Sequence, residues 1–199
     1  MRKVFSGRFG RAVAAVLSVA MVMDSAGCDV FGVRKGKAVM NDRLINFNKA
    51  LNELDYEAVR DLSDWTEKDS DYTAIETLFD TSYYGDAAEE GLLSCTEYIA
   101  STISIRYDIE TVQIQYYQAA LDVEYEMVDW KQVYQKPHSS YAEVLEDLKN
   151  CPDKITVDTA IVFENVNWMK SDWRLCRINK IGEVMSFIHT SPEIVQELT

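Results

Sequence analysis

Three cysteines, two histidines and a few carboxylate groups are the side chains of this 199-residue chain that could do chemistry. Cys95, Cys151 and Cys176 form no C-x-x-C pair. Their spacing therefore writes neither a zinc ribbon nor a dithiol redox motif. At most one disulfide can join two of them, leaving one thiol over. Cys95 falls on an apolar helical phase and Cys176 in a strand pattern, so both read as small buried hydrophobes. Cys151, in a turn before Pro152, is expected to be the most exposed. His138 and His189 are far apart in the chain and read as exposed loop histidines, because a metal needs converging ligands and a nucleophile needs a partner base. Asp122, Glu124 and Glu126 share the polar phase of one strand. Such a row can collect a divalent cation, but a solvated sheet face is the simpler reading. Asp69 and Asp71 give D-x-D without the glycine and final glutamate of an EF-hand loop. Asp129 ends a strand beside Trp130. It is either a general base, which would need burial to raise its pKa, or a turn-initiating residue before Lys131. The turn reading is favoured, and no catalytic motif, metal site or cofactor site is expected.

A fourth cysteine, Cys28, belongs to a different pattern. Met1-Arg2-Lys3, Arg8 and Arg11 are followed by an apolar run, Ala12 to Met23. A basic start and about a dozen apolar residues describe a secretory signal peptide. The run is shorter than the roughly 20 residues that span a bilayer. It ends in Asp24-Ser25-Ala26-Gly27-Cys28, which resembles the lipobox of bacterial lipoproteins. That resemblance implies a signal peptide over residues 1–27, acylation of Cys28, and a lipidated tether over 28–36 on the outer face of the cell membrane. Ser25-Ala26-Gly27 also has the small-x-small form of ordinary leader cleavage, and on that alternative the protein is secreted.

Composition bounds the remainder. An apolar fraction of 47% and 11% aromatics can build a core and exclude wholesale disorder. Acidic residues number 33 against 20 basic, for a net charge of −13. That balance argues against nucleic-acid binding, which needs basic surface to displace counterions. The leader contains four bases (Arg2, Lys3, Arg8, Arg11) and one acid (Asp24), so the remaining chain carries −16. Such a surface repels anionic lipid headgroups, and the domain is expected to stand off the membrane.

The positioning elements follow from periodicity. Met40, Leu44, Phe47, Leu51 and Leu54 line one helix face after the basic Arg34-Lys35-Gly36-Lys37 tether. Asp55 caps a short helix, Tyr56 to Leu62. A weaker helical turn covers Tyr72 to Phe79, and Tyr83-Tyr84-Gly85-Asp86 is a turn. Asp86 caps a helix from Ala87 to about Ser101 with Ala88, Leu92, Cys95 and Ile99 inward. The period then becomes two. Ile103 to Ile109 alternate in odd phase, Val112 to Tyr116 in even phase, and Tyr117 to Met127 in odd phase again. The slip predicts a bulge or bend near Asp108 to Glu110. Pro137 closes this strand region, and Ser140 with Glu143 forms a capping box for a helix to Lys149. Strands over Ile155 to Phe163 and Trp173 to Ile178 form a hairpin turning near Met169 to Ser171. Ser191-Pro192-Glu193 predicts a last short helix.

This order, with Ala50-Leu51-Asn52-Glu53-Leu54-Asp55-Tyr56 between the first helices, Val128-Asp129 at a long strand's end and Asp172-Trp173-Arg174-Leu175 in the last hairpin, resembles the NTF2-like (cystatin-like) superfamily. Val128-Asp129 and Asp172-Trp173-Arg174-Leu175 resemble small NTF2-like lipoproteins of Gram-positive bacteria. The resemblance covers about Lys37 to Ile188, within a single domain over 37–199. It implies an α+β cone, with N-terminal helices packed in a strongly curved antiparallel sheet. Superfamily enzymes use an inward Asp or His as general base, which makes Asp129 a candidate pocket residue. Tyr107, Tyr125 and Trp173 join it because they share the apolar phases of their strands, which in a cone face the helices and any cavity they leave. The function expected is that of a non-catalytic membrane-anchored domain binding a small ligand or an envelope protein. An isomerase or hydratase using a pocket carboxylate is the alternative.

Overall fold

Helical and alternating apolar patterns resolve into an α+β arrangement in the computed structural model, which describes residues 30–66, 70–82, 84 and 90–195. The leader, Cys28, Asp69, Tyr83, Gly85, Asp86, Ala87 and Ala88 lie outside the described residues.

Helix α1 runs Val30–Asn52 and buries Met40, Leu44, Phe47 and Leu51 of the expected stripe, while Leu54 falls past the helix end at φ 53° and is half-buried. Burying a side chain of this size stabilises by roughly 1.5–3 kcal/mol. The helix starts well before that stripe and absorbs most of the segment read as a tether over 28–36. Tertiary contacts explain the difference. Gly36 is buried against Trp173, and the Lys37 ammonium lies 2.8 Å from the Glu110 carboxylate. Asp55 caps α2 (Tyr56–Leu62), its carboxylate accepting from the Ala58 amide at 2.9 Å. Helix α3 covers Ser70–Leu78, and α4 (Glu90–Ser101) turns Leu92, Cys95 and Ile99 inward.

The sheet is antiparallel throughout, in the order β1-β3-β4-β5, with β2 also paired to β3. Strands β1 (Ser104–Tyr107) and β2 (Gln113–Gln115) lie in succession along β3 (Gln118–Val128). Tyr107 stands opposite Val123, and Gln113 opposite Ala120. The predicted slip near Asp108 is a 3-10 turn, Ile109–Thr111, capped by the Asp108 carboxylate on the Glu110 amide at 3.0 Å. Tyr117 is not on the apolar face as expected. It sits in the two-residue turn joining β2 to β3 and is 59% exposed, beside Tyr116 at φ 56°. Strand β4 (Lys154–Asn167) and β5 (Asp172–Ile178) complete the sheet, with register shifts at Val162/Phe163 and Asn165/Asn167.

Odd residues 119 to 127 of β3 are buried while Gln118, Asp122, Glu124 and Glu126 are not, so one sheet face is dry and the other wet. The core joins that dry face to the helices through Leu44, Phe47, Ile99, Tyr125, Phe163 and Leu175. The outer edge of β5 is covered by the segment after α2, where Ser63 bridges Leu175 and the Asp64 amide donates to the Leu175 carbonyl at 3.0 Å. Covering an edge in this way removes a template for aggregation.

Beyond β3, which ends where expected, one element is unannounced and one expectation fails. The chain forms helix α5 at Trp130–Tyr134 in the stretch between the strand end and Pro137. Asp129 starts that helix by capping it, and Trp130, Val133 and Tyr134 are buried. Helix α6 (Tyr141–Asn150) is capped by Ser140 as expected, with Glu143 returning its carboxylate to the Ser139 amide and hydroxyl, both at 2.7 Å. After α7 (Ile181–Val184) and a 3-10 turn at Ser186–His189, Ser191-Pro192-Glu193 is not helical. Extended pairing with His138 holds it instead. The His138 amide donates to Glu193 O, and the Val195 amide donates to His138 O at 2.8 Å. Among the described residues, no helix is long and apolar enough to cross a membrane.

Candidate functional site

The four candidate pocket residues do not converge on one described cavity. Asp129 ends β3 at one extremity of the sheet, its amide donating to Asp153 O. Trp173 lies at the other extremity, opposite Asn165, whose amide donates to Tyr117 O at 2.7 Å. The Asp129 carboxylate accepts from the Gln132 amide at 3.0 Å and so acts as a helix cap. Tyr107 donates its hydroxyl to Asn41 Oδ1 at 3.1 Å, tying β1 to α1, and burial raises its pKa. Tyr125 is fully buried, its hydroxyl has no hydrogen-bond partner, and burial pushes its pKa far up. The Trp173 indole lies against Gly36, and its Nε1 also has no acceptor. An open concavity of about 480 Å³ is lined instead by Asn52, Glu53, Leu54, Thr81, Leu93 and Glu97.

A grouping the sequence did not announce brings Asp64, Glu164 and Cys176 together. Their ligand atoms all lie within 4.8 Å of one another, and all three residues are half-buried. The Cys176 thiol is 3.8 Å from Glu164 Oε2. Glu164 and Cys176 come from neighbouring strands β4 and β5. Asp64 is delivered by the segment that covers the β5 edge, where Trp65 Nε1 also donates to the Cys176 carbonyl at 2.8 Å. Burial first, and then the charges of Asp64 and Glu164, push the thiol up to about 11. At neutral pH it stays protonated, which makes it a poor nucleophile. A divalent cation would displace that proton and pair with both carboxylates, so the trio has the donor types of a borderline metal. No spacing signal betrays it, because Asp64 arrives through a long-range bridge.

The remaining candidates sort differently from expectation. His138 is not an exposed loop residue but 3% exposed, walled in by the paired C-terminal segment. Its Nε2 is 3.3 Å from Asp147 Oδ2, while Nδ1 has no partner. His189 is exposed, with Nε2 3.1 Å from Thr77 O. Cys95, Cys151 and Cys176 are all free thiols. Cys95 is fully buried, and burial raises its thiol to about 11. Cys176 is half-buried like Cys151, not enclosed. The row Asp122, Glu124, Glu126 faces solvent, and Arg106 across on β1 pairs with both glutamates. Compared with known proteins, the chain matches no family model, no curated protein and no solved structure.

Proposed function

We propose that this is a lipid-anchored extracytoplasmic domain, acylated at Cys28, whose NTF2-like body is a non-catalytic module for an envelope protein. The observation that carries the reading is the occupancy of the dry sheet face. Tyr125, Phe163 and Leu121 there are closed over by Leu44, Phe47 and Ile99 of the helices, each at most 1% exposed. A domain whose interior is filled by its own side chains acts through its surface. The wet sheet face, with Asp122, Glu124, Asp158 and Arg106, offers charge-patterned positions for such a partner. The isomerase or hydratase alternative needs a carboxylate turned into a cavity, and Asp129 is committed to a backbone amide.

Globomycin-sensitive acyl labelling of wild type and Cys28→Ser tests the anchor. Labelling lost in the variant is expected, and labelling unchanged would remove the anchor. Native mass spectrometry of the full chain tests the partner class. A stoichiometric small molecule retained by the protein would overturn the protein-partner reading.

A further inference from the structure

The acidity of this chain is not evenly spread. No Asp or Glu occurs between Asp29 and Asp42, between Glu110 and Asp122, or between Glu164 and Asp172. The fold gathers these three stretches at one end. Up α1, from C- to N-terminus, the contacts march along β1 toward β2. Asn48 and Asn52 reach the Ile103 carbonyl, Asn41 reaches Tyr107, and Lys37 reaches Glu110. Gly36 meets Trp173, whose strand partner Asn165 donates to Tyr117 O in the β2–β3 turn. Helix α1 continues six residues beyond Gly36 to Val30, about 9 Å at ~1.5 Å per residue. Its first turns therefore emerge where the β2–β3 and β4–β5 hairpins have their tips.

Those tips are apolar and bare. Tyr116 is 89% exposed, Trp168 78% and Met169 75%. Of the eight large hydrophobics most exposed among the described residues, only Ile45 and Val195 lie elsewhere. Around the tips stand Arg34, Lys35 and Lys170, all exposed. Trp and Tyr with a basic rim are the side chains that settle at a membrane–water interface, where the ring sits at headgroup level and the cations meet anionic lipid. Cys28 stands only three residues before Phe31, so an acyl anchor there is tethered to this same end.

We infer that the two hairpin tips, Tyr116-Tyr117 and Trp168-Met169, with the basic first turns of α1, form a docking face for an anionic lipid bilayer. The inference rests on the reading of Cys28 as the anchor. It reverses the expectation from net charge: the acidic body points away while the end that carries the three acid-free stretches rests on the headgroups. A peripheral contact of this kind adds a second signal to the acyl chains and fixes the orientation of the domain.

The test uses the full chain purified from membranes and reconstituted into phosphatidylglycerol vesicles with brominated acyl chains, which quench nearby tryptophans. Trp130 and Trp173 are buried, and Trp65 is half-buried with its Nε1 bonded to the Cys176 carbonyl on β5, so Trp168 is the exposed indole positioned at the tips to report. Quenching of wild type, lost in Trp168→Phe and weakened in Met169→Asp, is the expected result. Both positions are exposed turn residues, and an unchanged near-ultraviolet spectrum from the buried tryptophans verifies the fold. Equal quenching in Trp168→Phe, or none in wild type, overturns the docking face. So does shielding of Trp168 from acrylamide in native envelopes when bromolipid leaves it unquenched, since a protein then covers the tip. Acyl labelling of Cys28 separates the two ideas. Labelling without quenching sinks the docking face and leaves the anchor, whereas quenching without labelling does the reverse.

Discussion

Gly36 and Trp173 meet at a distance that admits no side chain on the helix. A Cβ at residue 36 would stand 2.8 Å from the indole Nε1. Ala normally stabilises a helix interior by about 1 kcal/mol over Gly. Here the gain is outweighed, because overfilling a tight contact costs about 1–3 kcal/mol. Gly36→Ala should lower the urea midpoint. Gly91→Ala should lower it further, since its Cβ would lie 2.6 Å from the Tyr141 Cβ, which cannot swing away. Gly182→Ala meets only the Leu78 methyl carbons near 4 Å and should be neutral or stabilising. A Gly36→Ala midpoint above wild type would refute the close packing of α1 on β5.

Tyr125 presents the opposite case, a buried polar atom with nothing to bond. Leaving a hydroxyl unsatisfied costs roughly 1–3 kcal/mol. Tyr125→Phe keeps the ring and removes the liability, so stability should rise by about 1 kcal/mol. Tyr107→Phe should fall by a similar amount because it loses the bond to Asn41. Denaturant titration of both variants decides the matter. Loss of stability in Tyr125→Phe would mean that the hydroxyl has a partner after all.

What the sequence made legible was local. Asp55 and Ser140 announce their helices because a cap acts on amides two or three residues away. The α1 stripe and the odd phase of β3 are equally local periodicities. The misreadings all turn on long-range contacts or special backbone. Tyr117 continues an alternation into a turn whose neighbour has φ 56°, a conformation usually given to Gly or Asn. His138 is buried only because residues 193–195 pair with it from the far end of the chain. Asp64 joins Glu164 and Cys176 only because Ser63 bridges Leu175. The basic turns of α1 look like a tether until Trp173 and Glu110 are placed beside them.

Asp129 offers a clean division between a cap and a catalytic base. Asn caps a helix about as well as Asp, while Ala typically costs about 1 kcal/mol. Asp129→Asn should therefore leave the thermal midpoint near wild type, and Asp129→Ala should lower it. A general base would give a different pattern, because the amide cannot accept a proton and any turnover would vanish in Asp129→Asn. A midpoint that drops equally in both variants would contradict the bond to the Gln132 amide.

Glu143 lets the reciprocal cap of α6 be read through pH. Hydrogen bonds from the Ser139 amide and hydroxyl hold its carboxyl below the usual range. A depressed folded pKa contributes stability above the unfolded value that fades as pH falls through the folded one. Wild type should thus lose stability below the ordinary glutamate range faster than Glu143→Gln, in which this proton linkage is absent. Superimposable acid-unfolding curves would show that the cap is not held in solution.

Cys176 makes the corresponding prediction at alkaline pH. Its thiol ordinarily ionises near 9.0, and in the fold burial, then Asp64 and Glu164, move it to about 11. A raised folded pKa gives a contribution that is complete below the unfolded value and is lost as pH rises toward the folded one. Stability should therefore decline between pH 9 and about 11, and Cys176→Ala should flatten part of that decline. Cys95, raised to a similar value by burial, supplies another part. Reactivity separates the causes. Iodoacetamide should label Cys176 slowly at neutral pH, and Asp64→Asn or Glu164→Gln should accelerate labelling by removing a charge that opposes the thiolate. Peptide mapping by mass spectrometry reads the rate at Cys176 directly. Unchanged rates in both variants would mean that the two carboxylates do not act on the thiol, and the three-residue grouping would lose its electrostatic meaning.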